Sequence, residues 1–155
     1  MIFWIDLVRS KLIRLIFIPT LLWNLFLGRL LKIRRWWDEL DGEPIILGAL
    51  PFSREVPHLL ASGVTGVINM CIEYPGPKNT YAQSGVQQLH LPTVDFTPPE
   101  LDDIHRAMDF IDKHVEAGGK VYVHCKAGRG RSATVVLCWL ILRRQLTREQ
   151  AAAYL

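Results

Sequence analysis

At 155 residues, half of them hydrophobic and 21% charged, the chain has room for one ordinary compact domain and not for two. Its three cysteines lack regular spacing, which excludes a disulfide scaffold and falls short of the four ligands of a structural zinc site. The net charge of +3 hides an asymmetry: residues 1–35 carry seven Lys/Arg against Asp6 alone, giving +6, and the remainder carries eleven against fourteen acids, giving −3. Basicity confined to the N-terminus fits a membrane or targeting segment and argues against a nucleic-acid-binding domain.

In chain order the first element is apolar. From Leu15 to Gly28 no residue is charged, which is short of the ~20 residues a spanning helix needs. Widened to Leu12–Leu31 the stretch reaches that length, with Arg14 and Arg29 near its ends, where long side chains snorkel to the headgroups. Pro19 predicts a kink. Arg9, Lys11 and Arg14 precede the stretch and Arg29, Lys32, Arg34 and Arg35 follow it, so charge does not set its orientation; Trp4, Trp23, Trp36 and Trp37 are candidate interfacial anchors. No small-residue cleavage site follows, which argues against a removed secretory peptide. The competing reading is a buried helix of the domain, but apolar residues nearly all round favour membrane attachment.

Residues 1–35 are thus read as a membrane-associating segment and 36–155 as the globular domain, entered through an acidic hinge from Asp38 to Glu43 and amphipathic from Pro44 onward. Short β-branched runs at Ile45–Leu47, Val64–Met70 and Val86–Leu91 predict strands. Between the first two, Ser53 is expected to cap a short helix that runs to about Ala61 and stops at Gly63. Thr97-Pro98-Pro99-Glu100 reads as a capping box with proline at the first helical position, and Leu101, Ile104, Met108, Ile111 and Val115 follow on one face of a helix ending at Gly118-Gly119. Lys120–His124 is then a strand, followed by a Gly-rich turn and an apolar helix from about Ser132 to Gln145. Strands alternating with helices predict an α/β fold with a mostly parallel sheet flanked by helices.

Chemistry concentrates in His124-Cys125-Lys126-Ala127-Gly128-Arg129-Gly130-Arg131-Ser132. A cysteine leaves a strand, five residues curl, and an arginine stands where the next helix begins. Backbone N–H groups of Lys126, Ala127, Gly128, Arg129, Gly130 and Arg131 can face phosphate oxygens, the helix N-terminus adds about half a positive charge, and Arg131 grips two oxygens as a fork. The two glycines permit the tight curl. The same field favours a thiolate, so Cys125 is the expected nucleophile. A nucleotide-binding P-loop would place Lys-Ser/Thr after its last glycine, whereas here Arg131-Ser132 follows it. Cys138, inside an apolar helix, reads as core.

Displacing an alkoxide from phosphate needs a proton donor facing the leaving group. Asp95, in the Pro-bounded run Thr93-Val94-Asp95-Phe96-Thr97-Pro98-Pro99, is the candidate; Asp102, Asp103, Asp109 and Asp112 read as solvated. His124 is expected to orient the loop as a hydrogen-bond donor. Cys71, at the end of a parallel strand on the same sheet edge, is a candidate redox partner of Cys125.

HCKAGRGRS, TVDFTPP and the helix that follows resemble the cysteine-dependent, dual-specificity branch of the protein tyrosine phosphatase family. FIPTLLWNLFLGRL, WWDELDGEPIILGALPF, GVQQLHLPTVDFT and KVYVHCKAGRGRSATVVLCWLI narrow the likeness to the mitochondrial phosphatidylglycerophosphate phosphatases and their bacterial relatives, over roughly Leu12 to Leu155. The resemblance implies Cys125 as nucleophile, Arg131 as phosphate ligand, Asp95 as general acid and then base, and Ser132 as a hydroxyl that eases thiolate release, with no metal and no cofactor. Gly130 departs from relatives that carry Ser. Thr147-Arg148-Glu149-Gln150 reads as a further capping box, and the chain reaches Leu155 less than three turns later, where relatives continue, so a truncated domain is expected. The expected substrate is an anionic phospholipid, phosphatidylglycerophosphate, with Lys126 and Arg129 reading its second phosphate. A phosphoinositide, a phosphotyrosine or phosphothreonine protein, and a catalytically silent phosphate-binding module stay open. The expected setting is a membrane surface, the mitochondrial inner membrane in a eukaryote or the cytoplasmic membrane in a bacterium, and the expected state is a monomer.

Overall fold

The computed structural model describes residues 16–23, 26 and 35–155. The chain divides into two units, Met1–Trp36 and Trp37–Leu155. In the first, residues 16–23 form a helix, α1, and Trp23 stacks on Phe26 at 5.8 Å. Of the apolar helix expected from Leu12 to Leu31, this run is the part that falls within the described residues. Trp4, Arg9, Lys11, Leu12, Arg14, Arg29, Lys32 and Arg34 lie outside the described residues. Among the described residues no helix is long and apolar enough to cross a membrane.

The second unit is a five-stranded sheet of order β1-β2-β5-β3-β4. β2 (Ile45–Gly48), β5 (Lys120–His124), β3 (Val64–Cys71) and β4 (Gln87–Thr93) run parallel, and β1 (Trp37–Glu39) pairs antiparallel on the edge. Alternation along the buried strands sorts their side chains between two faces. Ile45, Leu47, Ile68, Met70, Val121 and Val123 meet α4 (Leu101–Glu116), α5 (Arg131–Arg143) and α6 (Arg148–Ala152). Ile46, Val67 and Tyr122 face the opposite way, toward α2 (Val56–Ala61) and α3 (Lys78–Ser84). Both faces are covered, as an open parallel sheet requires.

Several local expectations are corrected. The acidic hinge overlaps β1, whose Asp38 pairs with Leu47 and whose Glu39 takes Lys120 at 2.8 Å, and Trp37 is a residue of the domain, packed on His58. Ser53 does not cap: it opens a single 3₁₀ turn, and the Glu55 carboxylate accepts from the Phe52 N–H at 2.8 Å instead. Thr97 does not cap α4 either, because its hydroxyl is spent on the Val94 carbonyl at 2.8 Å and the helix starts only after Glu100. Leu101 consequently lies exposed at the helix start, while Ala107, Met108, Ile111 and His114 form the buried face. Asp112 is not merely solvated, since it accepts from Trp139 at 3.0 Å and Arg143 at 2.6 Å and ties α4 to α5. Cys138 is half-buried. The Thr147–Gln150 capping box forms as expected, at 2.9 and 3.2 Å.

Candidate active site

β5 ends at His124, and the chain curls from Cys125 to Gly130 before α5 starts at Arg131. Gly128 forces the curl. Its φ is +72°, and a Cβ there would lie 2.7 Å from the carbonyl carbon of Gly48 on the neighbouring strand, so both the backbone conformation and the close approach demand glycine. Gly130 has φ −97° and open space around it, so it is not conformationally required in the same way.

Cys125 is buried at the floor of the loop. The Ser132 hydroxyl donates to its Sγ at 3.2 Å, and the N–H groups of Ser132 and Ala127 also point at the sulfur. Burial pushes the thiol up, but these three donors and the Arg131 guanidinium outweigh it, and its pKa lies below that of an ordinary cysteine. The donor set and the helix N-terminus therefore favour a thiolate.

Arg131, the first residue of α5, turns its guanidinium back across the sheet edge. Nη1 donates to the Thr93 carbonyl at 2.7 Å, the Glu73 carboxylate at 3.1 Å and the Met70 carbonyl at 3.3 Å. Burial alone would lower its pKa, yet the anionic groups around it, Glu73 and Asp95 among them, raise it further. Nε and Nη2 are buried and make no hydrogen bond, although Nη2 stands 3.3 Å from Asp95 Oδ1. A buried guanidinium edge that makes no hydrogen bond and only a long ion pair is suited to receive an anion.

Asp95 lies in the turn after β4 and is brought to the loop as expected. Its Oδ2 accepts from Lys126 Nζ at 2.6 Å, and both side chains are largely shielded. The next residue, Phe96, has φ +64° and a ring that is 86% exposed, with the Lys126 ammonium 5.9 Å from its centroid. Lys126 is thus buried against Asp95, while Arg129 alone of the two basic loop residues is exposed at the rim. Ala127 serves through its backbone N–H.

His124 is fully buried. Its Nδ1 lies 3.4 Å from the Cys125 carbonyl, too long for a strong bond, and Nε2 has no partner. Burial, which outweighs the carbonyl contact, holds its pKa down at about 3, so the ring is neutral. It packs between Tyr122 at 5.7 Å and Tyr74 at 6.5 Å and acts more as filler beneath the loop than as the expected donor. Cys71 ends β3, fully buried in the same core cluster as Cys125, and burial pushes its thiol up.

Three residues absent from the sequence reading belong to the site. Glu73 anchors Arg131, the Tyr74 hydroxyl donates to the Pro51 carbonyl at 2.7 Å, and Asn69 braces the intervening turn, its side chain donating to the Tyr74 carbonyl at 2.7 Å and accepting from the Cys71 N–H at 2.9 Å. Their signal was position: the segment follows the C-terminal end of a parallel strand, where open α/β sheets place their sites.

The fold and this loop define the class of protein. The profile of the family described as dual specificity phosphatase, catalytic domain, matches residues 45–155, and the chain belongs to that family. It is similar to phosphatidylglycerophosphate phosphatase PTPMT2 of Arabidopsis thaliana, 44% identical over 137 residues that cover 86% of this chain and 60% of that protein. It is also similar to phosphatidylglycerophosphatase and protein-tyrosine phosphatase 1 of Mus musculus, 40% identical over 96% of this chain and 79% of that one. Among solved structures, PTPMT1 in complex with PI(5)P superposes with a TM-score of 0.70 and 36% identity, over 77% of this chain and 80% of that chain. The chain spans less than two thirds of the length of its plant relatives, 60% of one and 42% of another.

Proposed function

We propose that the protein is a cysteine-dependent phosphomonoesterase that converts phosphatidylglycerophosphate to phosphatidylglycerol. The observation that carries the reading is the convergence of a thiol below its ordinary pKa with the Nε/Nη2 edge of Arg131, which makes no hydrogen bond, and the Asp95 carboxylate 3.3 Å from Nη2. Arg131 and the loop N–H groups bind the phosphate. Cys125 Sγ attacks phosphorus in line, the bond to the leaving oxygen breaks, and Asp95 protonates that oxygen. Asp95 then takes a proton from water as the water attacks the phosphocysteine, the S–P bond breaks, and the departing thiolate is received by the Ser132 hydroxyl at 3.2 Å. No step in this sequence calls for a metal or cofactor.

Support for the lipid comes from the names of the relatives, phosphatidylglycerophosphate phosphatases of plant and mouse. A second reading, a phosphoinositide phosphatase, is favoured by the PTPMT1 complex with PI(5)P. Phosphate release from phosphatidylglycerophosphate, phosphoinositides and a phosphotyrosine peptide, measured side by side in mixed micelles, decides between them. The expected order puts phosphatidylglycerophosphate first; faster turnover of the peptide overturns the lipid assignment. The basic, apolar segment 1–35 is proposed to hold the domain, residues 36–155, at a membrane, mitochondrial or bacterial. Its deletion should release the protein from membranes with soluble-substrate activity retained, and a full-length protein found free of membranes refutes the anchor.

A further inference from the structure

The proton donor of the proposed reaction is not free to donate. Asp95 Oδ2 is held by Lys126 at 2.6 Å and Oδ1 faces Arg131 Nη2 at 3.3 Å, so both oxygens point at cations. A carboxyl that protonates a leaving oxygen needs one oxygen carrying the proton and aimed at substrate. A bound phosphomonoester supplies an anion for the Arg131 edge and draws that guanidinium off Oδ1. It does nothing for Lys126, whose ammonium keeps Oδ2 in a shielded ion pair.

Charge balance shows what would move it. Glu73, Asp95 and the Cys125 thiol lie by Arg131, Asp95 also holds Lys126, and Arg129 stands exposed at the rim, so a dianionic phosphomonoester brings its charge to a site where Asp95 already occupies two of the cations. A general acid needs one oxygen free to carry the proton and face the leaving group, and Oδ2 is free only once Lys126 has left it. A second anion at the mouth would draw the lysine away. The Phe96 ring, exposed at the mouth and 5.9 Å from the ammonium, offers it a path from the carboxylate to the rim.

We propose that Lys126 is a specificity-determining latch, which pins Asp95 in the free enzyme and is drawn off by a substrate that bears a second phosphate beside the phosphomonoester. The inference rests on the phosphatase reading above and deepens it: the second phosphate contributes to the chemical step and not to binding alone. A lysine that merely read the headgroup would be neutral toward a substrate with one phosphate. A latch is inhibitory toward it.

The test uses the full-length protein, with Lys126→Met and Lys126→Arg, assayed on phenyl phosphate, an aryl phosphate with one phosphate whose leaving oxygen takes a proton, and on phosphatidylglycerophosphate in the same micelles. Lys126→Met should raise kcat on the aryl phosphate by about fivefold, the worth of a partly shielded ion pair, and lower kcat/KM on the lipid by about 10- to 100-fold, the worth of a charged hydrogen bond. Lys126→Arg, which keeps the charge, should lose less than Lys126→Met on the lipid and gain less on the aryl phosphate. Equal losses of kcat on both substrates in Lys126→Met, or a change in KM with kcat unaltered, overturn the latch. A second measurement needs no variant. Dimethyl phosphate, a phosphodiester anion added in trans, should stimulate aryl phosphate turnover by the parent; inhibition or no effect overturns the proposal. Cys125→Ser, run alongside, separates the two claims. Turnover retained there removes the cysteine mechanism and the latch together, whereas turnover lost there with the Lys126 results reversed removes the latch alone.

Discussion

The guanidinium of Arg131 lies 3.1 Å from the carboxylate of Glu73, and both side chains are almost sealed from solvent at 2% exposure. The pair fixes the arginine from behind while its Nε/Nη2 edge makes no hydrogen bond and faces Asp95 at 3.3 Å. Glu73→Gln keeps the shape and removes the charge. Breaking a buried pair costs about 3–5 kcal/mol, and the low end applies here because the Thr93 and Met70 carbonyls still hold Nη1. Chemical denaturation should show that loss, and KM should rise on every phosphomonoester in parallel. A rise confined to lipid substrates would assign Glu73 to the headgroup instead.

Cys125→Ser should abolish turnover, since a serine hydroxyl in this loop lacks the acidity that the donors confer on sulfur. Asp95→Ala should slow kcat by roughly 10²- to 10⁴-fold, the usual worth of general acid–base catalysis, with KM little changed. Restored turnover on a substrate whose leaving group needs no proton would confirm the role of Asp95, and normal turnover in either variant would refute the mechanism.

Gly128→Ala should cost both stability and activity. The added methyl meets the Gly48 backbone at 2.7–2.8 Å, and neither strand β2 nor the loop can yield without moving Cys125. Gly130→Ser, by contrast, meets open space and should leave the thermal midpoint within about a degree or two, as surface substitutions do. Similar midpoints for Gly128→Ala and the parent would show that the loop relaxes freely.

How much of this was legible in the sequence depends on what each element is held by. KVYVH reads as a strand to the residue because it is buried on both faces and bounded by Gly119 and the loop. β1 escapes such a reading, since Trp37-Asp38-Glu39 has no apolar run and becomes a strand only by pairing with β2. α3 escapes it too, with Tyr81 as its single buried residue. The nucleophile loop declares itself because its chemistry is contiguous. Glu73 carries no motif, and only the topology that sets β3 beside β5 brings it to Arg131. Lys126 reads as a headgroup ligand, and its pairing with Asp95, 31 residues away, is visible only in the fold.

Redox control is predicted, with Cys71 as the resolving thiol, because it lies buried in the same core cluster as Cys125. Peroxide should convert the Cys125 thiolate to a sulfenic acid, which condenses with the Cys71 thiol to give a disulfide and water. Burial pushes the Cys71 thiol up, so this trapping should be slow relative to the first oxidation. Dithiothreitol should restore activity in the parent and less fully in Cys71→Ser. Equal recovery, or peptide mapping without a Cys71–Cys125 link, would leave Cys71 as packing.

Acid should weaken the fold through His124. The ring is fully buried and neutral, its pKa held at about 3 by burial against an ordinary 6.5. Below pH 6.5 the unfolded chain binds a proton at this position and the native one does not until near pH 3. The contribution is therefore complete above pH 6.5 and is lost as pH falls from 6.5 toward 3, at a slope approaching about 1.4 kcal/mol per pH unit. Carboxylates in ion pairs add to the acid limb, so the residue is isolated by comparison with His124→Phe, whose ring suits the Tyr74 and Tyr122 neighbours. Denaturant midpoints taken between pH 7 and 4 should fall less steeply in the variant than in the parent. Parallel curves would mean that His124 takes up its proton in the native state as readily as in the unfolded chain, and that burial does not hold it neutral.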